Sequence, residues 1–287
     1  MLSKPVVADL WQLTKPGITR LVLVTTAVGF YLGSSAALDW ALLFHALVGT
    51  GLLAAGTNAL NQYAERSIDA VMKRTRHRPL PAGRIGPGLA LSFSVGISVA
   101  GTVYLAWLVN LLTAVLGAMA LLVYIFAYTP LKRRTWWCTV VGAVPGAIPP
   151  MMGWTAVTGR VDMLAWVLFG IVFLWQMPHF YAIGWMYRQD YARAGFPMLP
   201  VVDDSGERTA RQIIAYTVAL LIVSVLTTVL GLTGALYFVG AATLGVAFLA
   251  LGVALAQAPT GVQARRLFLG SVLYLPVLLV LMVVDKV

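Results

Sequence analysis

Asn61-Gln-Tyr-Ala-Glu-Arg-Ser-Ile-Asp-Ala-Val-Met-Lys-Arg-Thr-Arg-His-Arg-Pro-Leu-Pro-Ala-Gly-Arg84 begins at the edge of an apolar run and becomes the densest cluster of charge in the chain. Asn61, Glu65 and Asp69 recur every four residues, so on a helix they share one face, and Lys73, Arg74, Arg76, Arg78 and Arg84 follow at once. Carboxylates beside a block of cations suit a metal-bound polyanion. Polar groups at the edge of an apolar run are costly, which favours a task for them over a merely solvated helix end.

Outward from this stretch the chain turns strongly apolar. Of its 287 residues 60% are hydrophobic and only 10% are charged, against about 25% charged in a soluble domain. Its mean hydropathy is +0.86. The composition indicates an integral membrane protein, in which the net charge of +10 reports topology rather than a nucleic-acid partner. Runs of about 20 apolar residues fall at roughly 18–38, 41–64, 88–108, 110–128, 138–157, 163–185, 211–231, 233–256 and 267–285. The fold class expected is therefore all-α and polytopic: nine transmembrane helices bundled around a central cavity, forming one domain over 1–287.

With nine spans the termini lie on opposite sides. The N-terminal segment and the breaks after spans two, four, six and eight, with Arg20 and Arg211 at the adjoining span ends, then hold every Lys and Arg except Arg160 and Lys286. The positive-inside rule places that side in the cytoplasm, with long loops at 65–87, 129–137 and 186–210. The N-terminal segment shows no signal-peptide pattern, so the first span is expected to be retained. The lone Cys138 reads as a packing residue. Gly142-Ala-Val-Pro-Gly-Ala-Ile-Pro-Pro150 is expected to break or kink span five beside the cavity, where protein or water satisfies the freed backbone groups.

Several groups can carry chemistry. Asn61, Glu65 and Asp69 offer oxygen ligands for Mg²⁺, which takes one or two carboxylates, waters and phosphate oxygens. Arg188-Gln-Asp190-Tyr-Ala-Arg193 places a carboxylate between two cations at the end of another span, so Asp190 is a further metal candidate. Asp203, Asp204 and Glu207 read as a solvated turn or as the acidic start of span seven. Lys132, just after Pro130 and Tyr128, is placed to meet phosphate. His179 lies inside span six next to Pro178, where an ionisable group is a site hypothesis by default: it can ligate iron or move a proton. Trp175, Phe180, Tyr181, Trp185 and Tyr187 surround it and offer ring faces to a developing cation.

These residues resemble the UbiA superfamily of intramembrane prenyltransferases. Asn61-x-x-x-Glu65-x-x-x-Asp69, continuing through Arg78-Pro-Leu-Pro-Ala-Gly83, is similar to its first aspartate-rich motif, with Glu65 where the usual residue is Asp. Gly146-Ala-Ile-Pro-Pro150, Trp175-Gln-Met-Pro-His-Phe180 and Asp190-Tyr191 through Pro197-Met-Leu-Pro200 resemble the members that farnesylate haem. The second motif departs from the superfamily pattern, because Met186 or Tyr187 stands where a first acid is usual.

The resemblance implies transfer of farnesyl from farnesyl diphosphate to a vinyl group of protohaem IX (haem B), giving haem O. Mg²⁺ would be held by Asn61, Glu65, Asp69 and Asp190. Lys73, Arg78, Lys132, Arg188 and Arg193 would meet the diphosphate, and Tyr128, Tyr187 and Trp175 the substrates. His179 would orient or ligate haem or assist a water step. It also implies a bacterial inner membrane, an active site open to the cytoplasm, and room for contact with other haem-biosynthesis or terminal-oxidase assembly proteins. A prenyltransferase for a quinone-ring precursor is the nearest rival. A haem or polyisoprenoid transporter fits less well, since the acids gather at one membrane face and no repeat is evident.

Overall fold

The computed structural model describes residues 4–35 and 37–287. Among them, nine helices are long and apolar enough to cross a membrane, and no strand forms. The spans are α2 (Pro16–Gly33), α3 (Trp40–Asp69), α4 (Pro87–Leu108), α5 (Leu111–Leu131), α6 (Cys138–Thr158), α7 (Met163–Met186), α10 (Glu207–Val229), α11 (Ala235–Gln257) and α12 (Gly261–Val284). A helix before the first span, α1 (Lys4–Leu13), and two short helices after α7, α8 (Arg188–Arg193) and α9 (Leu199–Val202), complete the fold.

The polar residues that interrupt the apolar runs become helix caps. Asp39, Asn110 and Asp162 accept the backbone N–H groups of Leu42, Thr113 and Ala165 at 2.9, 2.8 and 3.2 Å, each stabilising its helix start by about 1 kcal/mol. Thr260 caps α12 in the same way, through Gln263 N–H, so this helix starts at Gly261 rather than at the expected 267. Exposed tryptophans mark both faces of the bundle: Trp40, Trp107 and Trp166 at the short turns, Trp11 and Trp137 at the long loops. Lys286 donates to the Tyr31 carbonyl at 2.7 Å and to that of Ser34, meeting orphan acceptors at the end of α2.

Helix α6 is the centre of the bundle. Some 72% of its apolar window is buried, against 17–39% in the spans other than α7, and it packs on α2, α5 and α7. On one side α3, α4 and α5 pack in sequence; on the other α7 meets α10 and α12, with α11 between them. Of the break or kink expected at Pro145, Pro149 and Pro150 the break does not occur: α6 runs through all three. Its close contact with α2 depends on glycine, since a Cβ at Gly29 would lie 2.0 Å from the Pro150 carbonyl oxygen and one at Gly153 1.9 Å from that of Thr26.

The irregularity falls in α5 instead, where Val123–Tyr128 winds as a π turn. Pro130 follows and has no N–H to return to Phe126, so the ladder shifts and Thr129 N–H reaches the Tyr124 carbonyl.

Candidate active site

One face of α3 carries Thr50, Leu53, Ala54, Thr57, Asn58, Asn61, Glu65 and Asp69, spaced three and four apart, and all of them line a cavity of about 440 Å³. Pro145, Gly146, Pro149 and Met152 of α6 and Trp175, Gln176, His179 and Phe180 of α7 form the facing wall. The body of this cavity is apolar and its head is charged. The α3 helix continues five residues beyond the expected end of its span, so Glu65 and Asp69 stand on the same rigid helix as Asn61 and the loop begins at 70.

Each of these three α3 side chains meets one cation. Lys15 Nζ donates to Asn61 Oδ1 at 2.8 Å, Lys132 Nζ to Glu65 Oε1 at 2.7 Å and an Arg78 guanidinium nitrogen to Asp69 Oδ2 at 2.7 Å. The carboxylates are almost fully buried and both cations of the ion pairs are largely so, and removing one member of a buried pair costs about 3–5 kcal/mol. Burial pushes the Lys132 ammonium toward neutrality, but Tyr128 and Glu65 beside it hold its pKa well above the ordinary lysine value. Burial and the neighbouring Arg78 charge bring Lys15 down to about 7.

The loop geometry that delivers these cations is specific. Thr75 donates its hydroxyl to the Asp69 carbonyl at 2.9 Å, closing the end of α3 and bringing Arg78 back over the Asp69 carboxylate. Lys15 sits between α1 and α2 at φ 48°, the one non-glycine residue with positive φ among those described. Asn58 holds the Thr14 carbonyl at 3.3 Å, and Gln62 those of Gln12 and Leu13 at 3.3 and 2.9 Å. A strained backbone held by two buried amides thus carries the ammonium that reaches Asn61. The sequence reading missed Lys15 as a site residue. Its only signal was a Lys-Pro pair at the start of a span, and its use depends on the tertiary contact with α3.

His179 lies two turns in from the loop end of α7. Its Nδ1 is 2.7 Å from the Ser271 hydroxyl, which itself donates to the Phe268 carbonyl. Ser271 therefore accepts from Nδ1–H, and the neutral ring keeps its Nε2 lone pair free of that bond. Trp175 stacks on His179 at 5.0 Å between ring centroids and donates its indole N–H to the Ser271 carbonyl at 2.8 Å.

The structure brings Asn61, Glu65, Asp69, Arg78, Lys132, Tyr128, Trp175 and His179 around one cavity, and adds Lys15, Arg74 and Tyr124. Five expected site residues are absent from its lining. Lys73 and Arg74 are both exposed, and of the two only Arg74 lines the cavity, with its guanidinium over the Tyr187 ring at 5.3 Å. Asp190 is held by Arg193 at 2.9 Å, and Arg188 binds Asp204 at 3.1 Å. Asp190, Arg188, Arg193 and Tyr187 thus stand beside this cavity rather than in its lining, next to Tyr191, Phe196 and Met198, which do line it. Asp203, almost fully buried, accepts the N–H and hydroxyl of Thr209, both at 2.8 Å, and so belongs to the start of α10.

A charged head set on an apolar chamber, among the nine membrane-length helices of the described residues, defines a multi-pass membrane protein with an amphiphilic cavity. The UbiA prenyltransferase family matches residues 22–276, and the chain belongs to that family. It is similar to a protoheme IX farnesyltransferase of Solibacter usitatus (strain Ellin6076), 52% identical over 288 residues that cover 97% of this chain and 98% of the relative. The fold is shared with a digeranylgeranylglyceryl phosphate synthase (TM-score 0.83, 17% identity, 97% and 98% of the two chains). It is also shared with a UbiA homologue from Archaeoglobus fulgidus bound to DMAPP and Mg²⁺ (TM-score 0.69, 14% identity, 96% and 99%).

Proposed function

We propose that this chain is a protohaem IX farnesyltransferase, joining the farnesyl group of farnesyl diphosphate to a vinyl carbon of haem B to give haem O and diphosphate. The observation that carries the donor half is the α3 face, where Asn61, Glu65 and Asp69 with their three cations stand directly above an apolar chamber. The acceptor half rests on the full-length similarity to relatives that carry this name and on His179 at the same chamber.

The donor set suits Mg²⁺: two carboxylates, each meeting its cation through a single oxygen, and an amide oxygen on one helix face. Mg²⁺ held by Asn61, Glu65 and Asp69 would supply neutralisation of diphosphate charge. Lys15, Arg78 and Lys132 turn from the α3 side chains to the leaving diphosphate, so that the allylic carbon–oxygen bond ionises. The wall of Tyr124, Tyr128, Trp175 and Phe180 shields the resulting cation from bulk water and faces it with aromatic rings. The vinyl carbon of haem then forms the new carbon–carbon bond, and water adds to the cation left on haem, releasing one proton. His179 Nε2 accepts that proton or orients haem through its iron. The charge distribution of the sequence supports long loops in the cytoplasm, and the bacterial relatives support an inner membrane.

The decisive assay incubates purified protein with farnesyl diphosphate, Mg²⁺ and either protohaem or a hydroxybenzoate, and reads products by mass. Haem O formation is expected, and turnover of the hydroxybenzoate alone would sink the acceptor assignment. The haem absorption spectrum of His179→Ala is expected to differ from wild type; an unchanged spectrum with lost turnover would assign the proton role instead.

A further inference from the structure

The deep end of the cavity abuts packed side chains, and its distance from the charged head is fixed by α3. Thr50 is the residue of the α3 face that lines the cavity farthest from the head; the next residues on that face, Ala46 and Gly49, do not line it, and Ala46 is packed with Phe30 and Ala156. Leu53 and Met152 line the floor and belong to a buried cluster with Leu105, Ala114 and Ile148. From Asn61 to Thr50 the helix rises about 16 Å. At ordinary carbon–carbon bond lengths an extended isoprene unit takes up about 5 Å, so three units fill this depth and a fourth does not.

We infer that the floor formed by Leu53, Gly117 and Met152 is a ruler that sets the length of the prenyl donor at three isoprene units. The inference rests on the proposed allylic-diphosphate chemistry and adds the selection of chain length to it. Gly117 is the point at which the ruler can be moved. A Cβ there would come 2.5 Å from Leu53 Cδ2 and 2.9 Å from Met152 Cε, the ends of two flexible side chains that already line the floor. Added bulk at this position therefore displaces side chains into the cavity rather than forcing backbone apart. A second route is conceivable for a long tail, because Ile18 and Leu21 of α2 line the cavity and are also exposed. A tail leaving sideways past them would escape the floor, and donor length would then go unread.

Binding of the non-hydrolysable thiolodiphosphate analogues of geranyl, farnesyl and geranylgeranyl diphosphate separates the two routes, with the full chain in lipid nanodiscs and Mg²⁺ present. The wild type is expected to bind the C15 analogue about tenfold or more tighter than the C20 analogue, the scale on which apolar pockets discriminate length. Gly117→Leu should weaken C15 by about tenfold and leave C10 within about threefold. Met152→Ala, which removes bulk without adding any, should bring C20 to within about threefold of C15. Equal binding of C15 and C20 by the wild type would overturn the ruler, as would variants that shift all three lengths by one factor. These measurements need no acceptor, so a failed haem assignment leaves their outcome standing, whereas failure of the wild type to bind any length would overturn both proposals.

Discussion

The segments 69–86 and 187–206 are alike in sequence, each at the end of a span and each setting a carboxylate among arginines, yet the fold uses them in opposite ways. The first sends Arg74 and Arg78 into the lining of the cavity; the second sends Tyr191, Phe196 and Met198. The difference lies in where each carboxylate finds its cation. Asp190 pairs with Arg193 three residues away, and that arginine is about half exposed (47%). Asp69 pairs with Arg78 across a turn closed by Thr75, and that arginine is only 23% exposed. A local pair forms in almost any loop and is worth about 0.3–0.5 kcal/mol. A pair assembled across a folded turn, with water excluded, fixes the position of both partners and leaves them strong electrostatic groups. Both carboxylates are buried, so the two clusters differ in the reach and the exposure of their cations rather than in the burial of the acid.

The largest effect expected is at the first loop. Asp69→Asn keeps the shape and a hydrogen-bond acceptor for Arg78 but removes the charge, and it should lower haem O formation by about 10³-fold, the scale of losing a preorganised electrostatic contact. Asp190→Asn, by contrast, should lower it by less than about threefold, in keeping with a local pair. Initial rates at saturating farnesyl diphosphate, with thermal unfolding in detergent as a control for folding, check both. If Asp190→Asn costs as much as Asp69→Asn, the second loop closes on the site during turnover and the contrast fails.

A smaller loss is expected from Lys15→Met, about 10²-fold in turnover. Lys15→Arg should restore part of the rate, which a merely structural lysine would not require. Arg84→Ala separates delivery from chemistry. This residue clamps α1 to the first loop through Asp9 and Gln12, both at 2.9 Å, and its loss should reduce stability with less effect on rate.

Lys15 also shows how far the sequence can be read. The nine spans and the face shared by Asn61, Glu65 and Asp69 were legible because hydropathy and four-residue spacing are properties of contiguous chain. The proline-rich segment was placed correctly beside the cavity, but that its helix runs unbroken could not be read, because its continuity depends on the burial of α6 by three neighbouring helices. Lys15 could not be found, since its partner Asn61 is 46 positions away and its backbone is held by Asn58 and Gln62. That Arg74 rather than Lys73 reaches the cavity lining was hidden for a similar reason: beyond Asp69 the chain leaves helical geometry, and no period says which of two adjacent cations faces the cavity. The π turn before Pro130 was equally hidden, although it places Tyr124 and Tyr128 on the cavity beside Lys132.

The smallest predicted effect sharpens the same comparison from within the second loop, where Asp203 is a buried carboxylate with a structural task. Burial raises its pKa, but the N–H and hydroxyl of Thr209 together with Ser205 and the Gly206 N–H outweigh that and hold it below the ordinary aspartate value. A depressed folded pKa means that the unfolded chain binds the proton more readily. The stability contributed by Asp203 is then fully present above the unfolded value of about 3.9 and is lost as pH falls through the lower folded value. Asp203→Asn should cost about 1 kcal/mol at neutral pH, the value of a helix-start cap. The gap between wild type and variant in thermal unfolding should narrow below about pH 4, while the rate of haem O formation at neutral pH stays within about threefold of wild type. A gap that stays constant with pH would remove the charge from this account and leave only packing, whereas a large loss of rate would mean that the second loop carries a catalytic carboxylate after all, at Asp203 rather than Asp190.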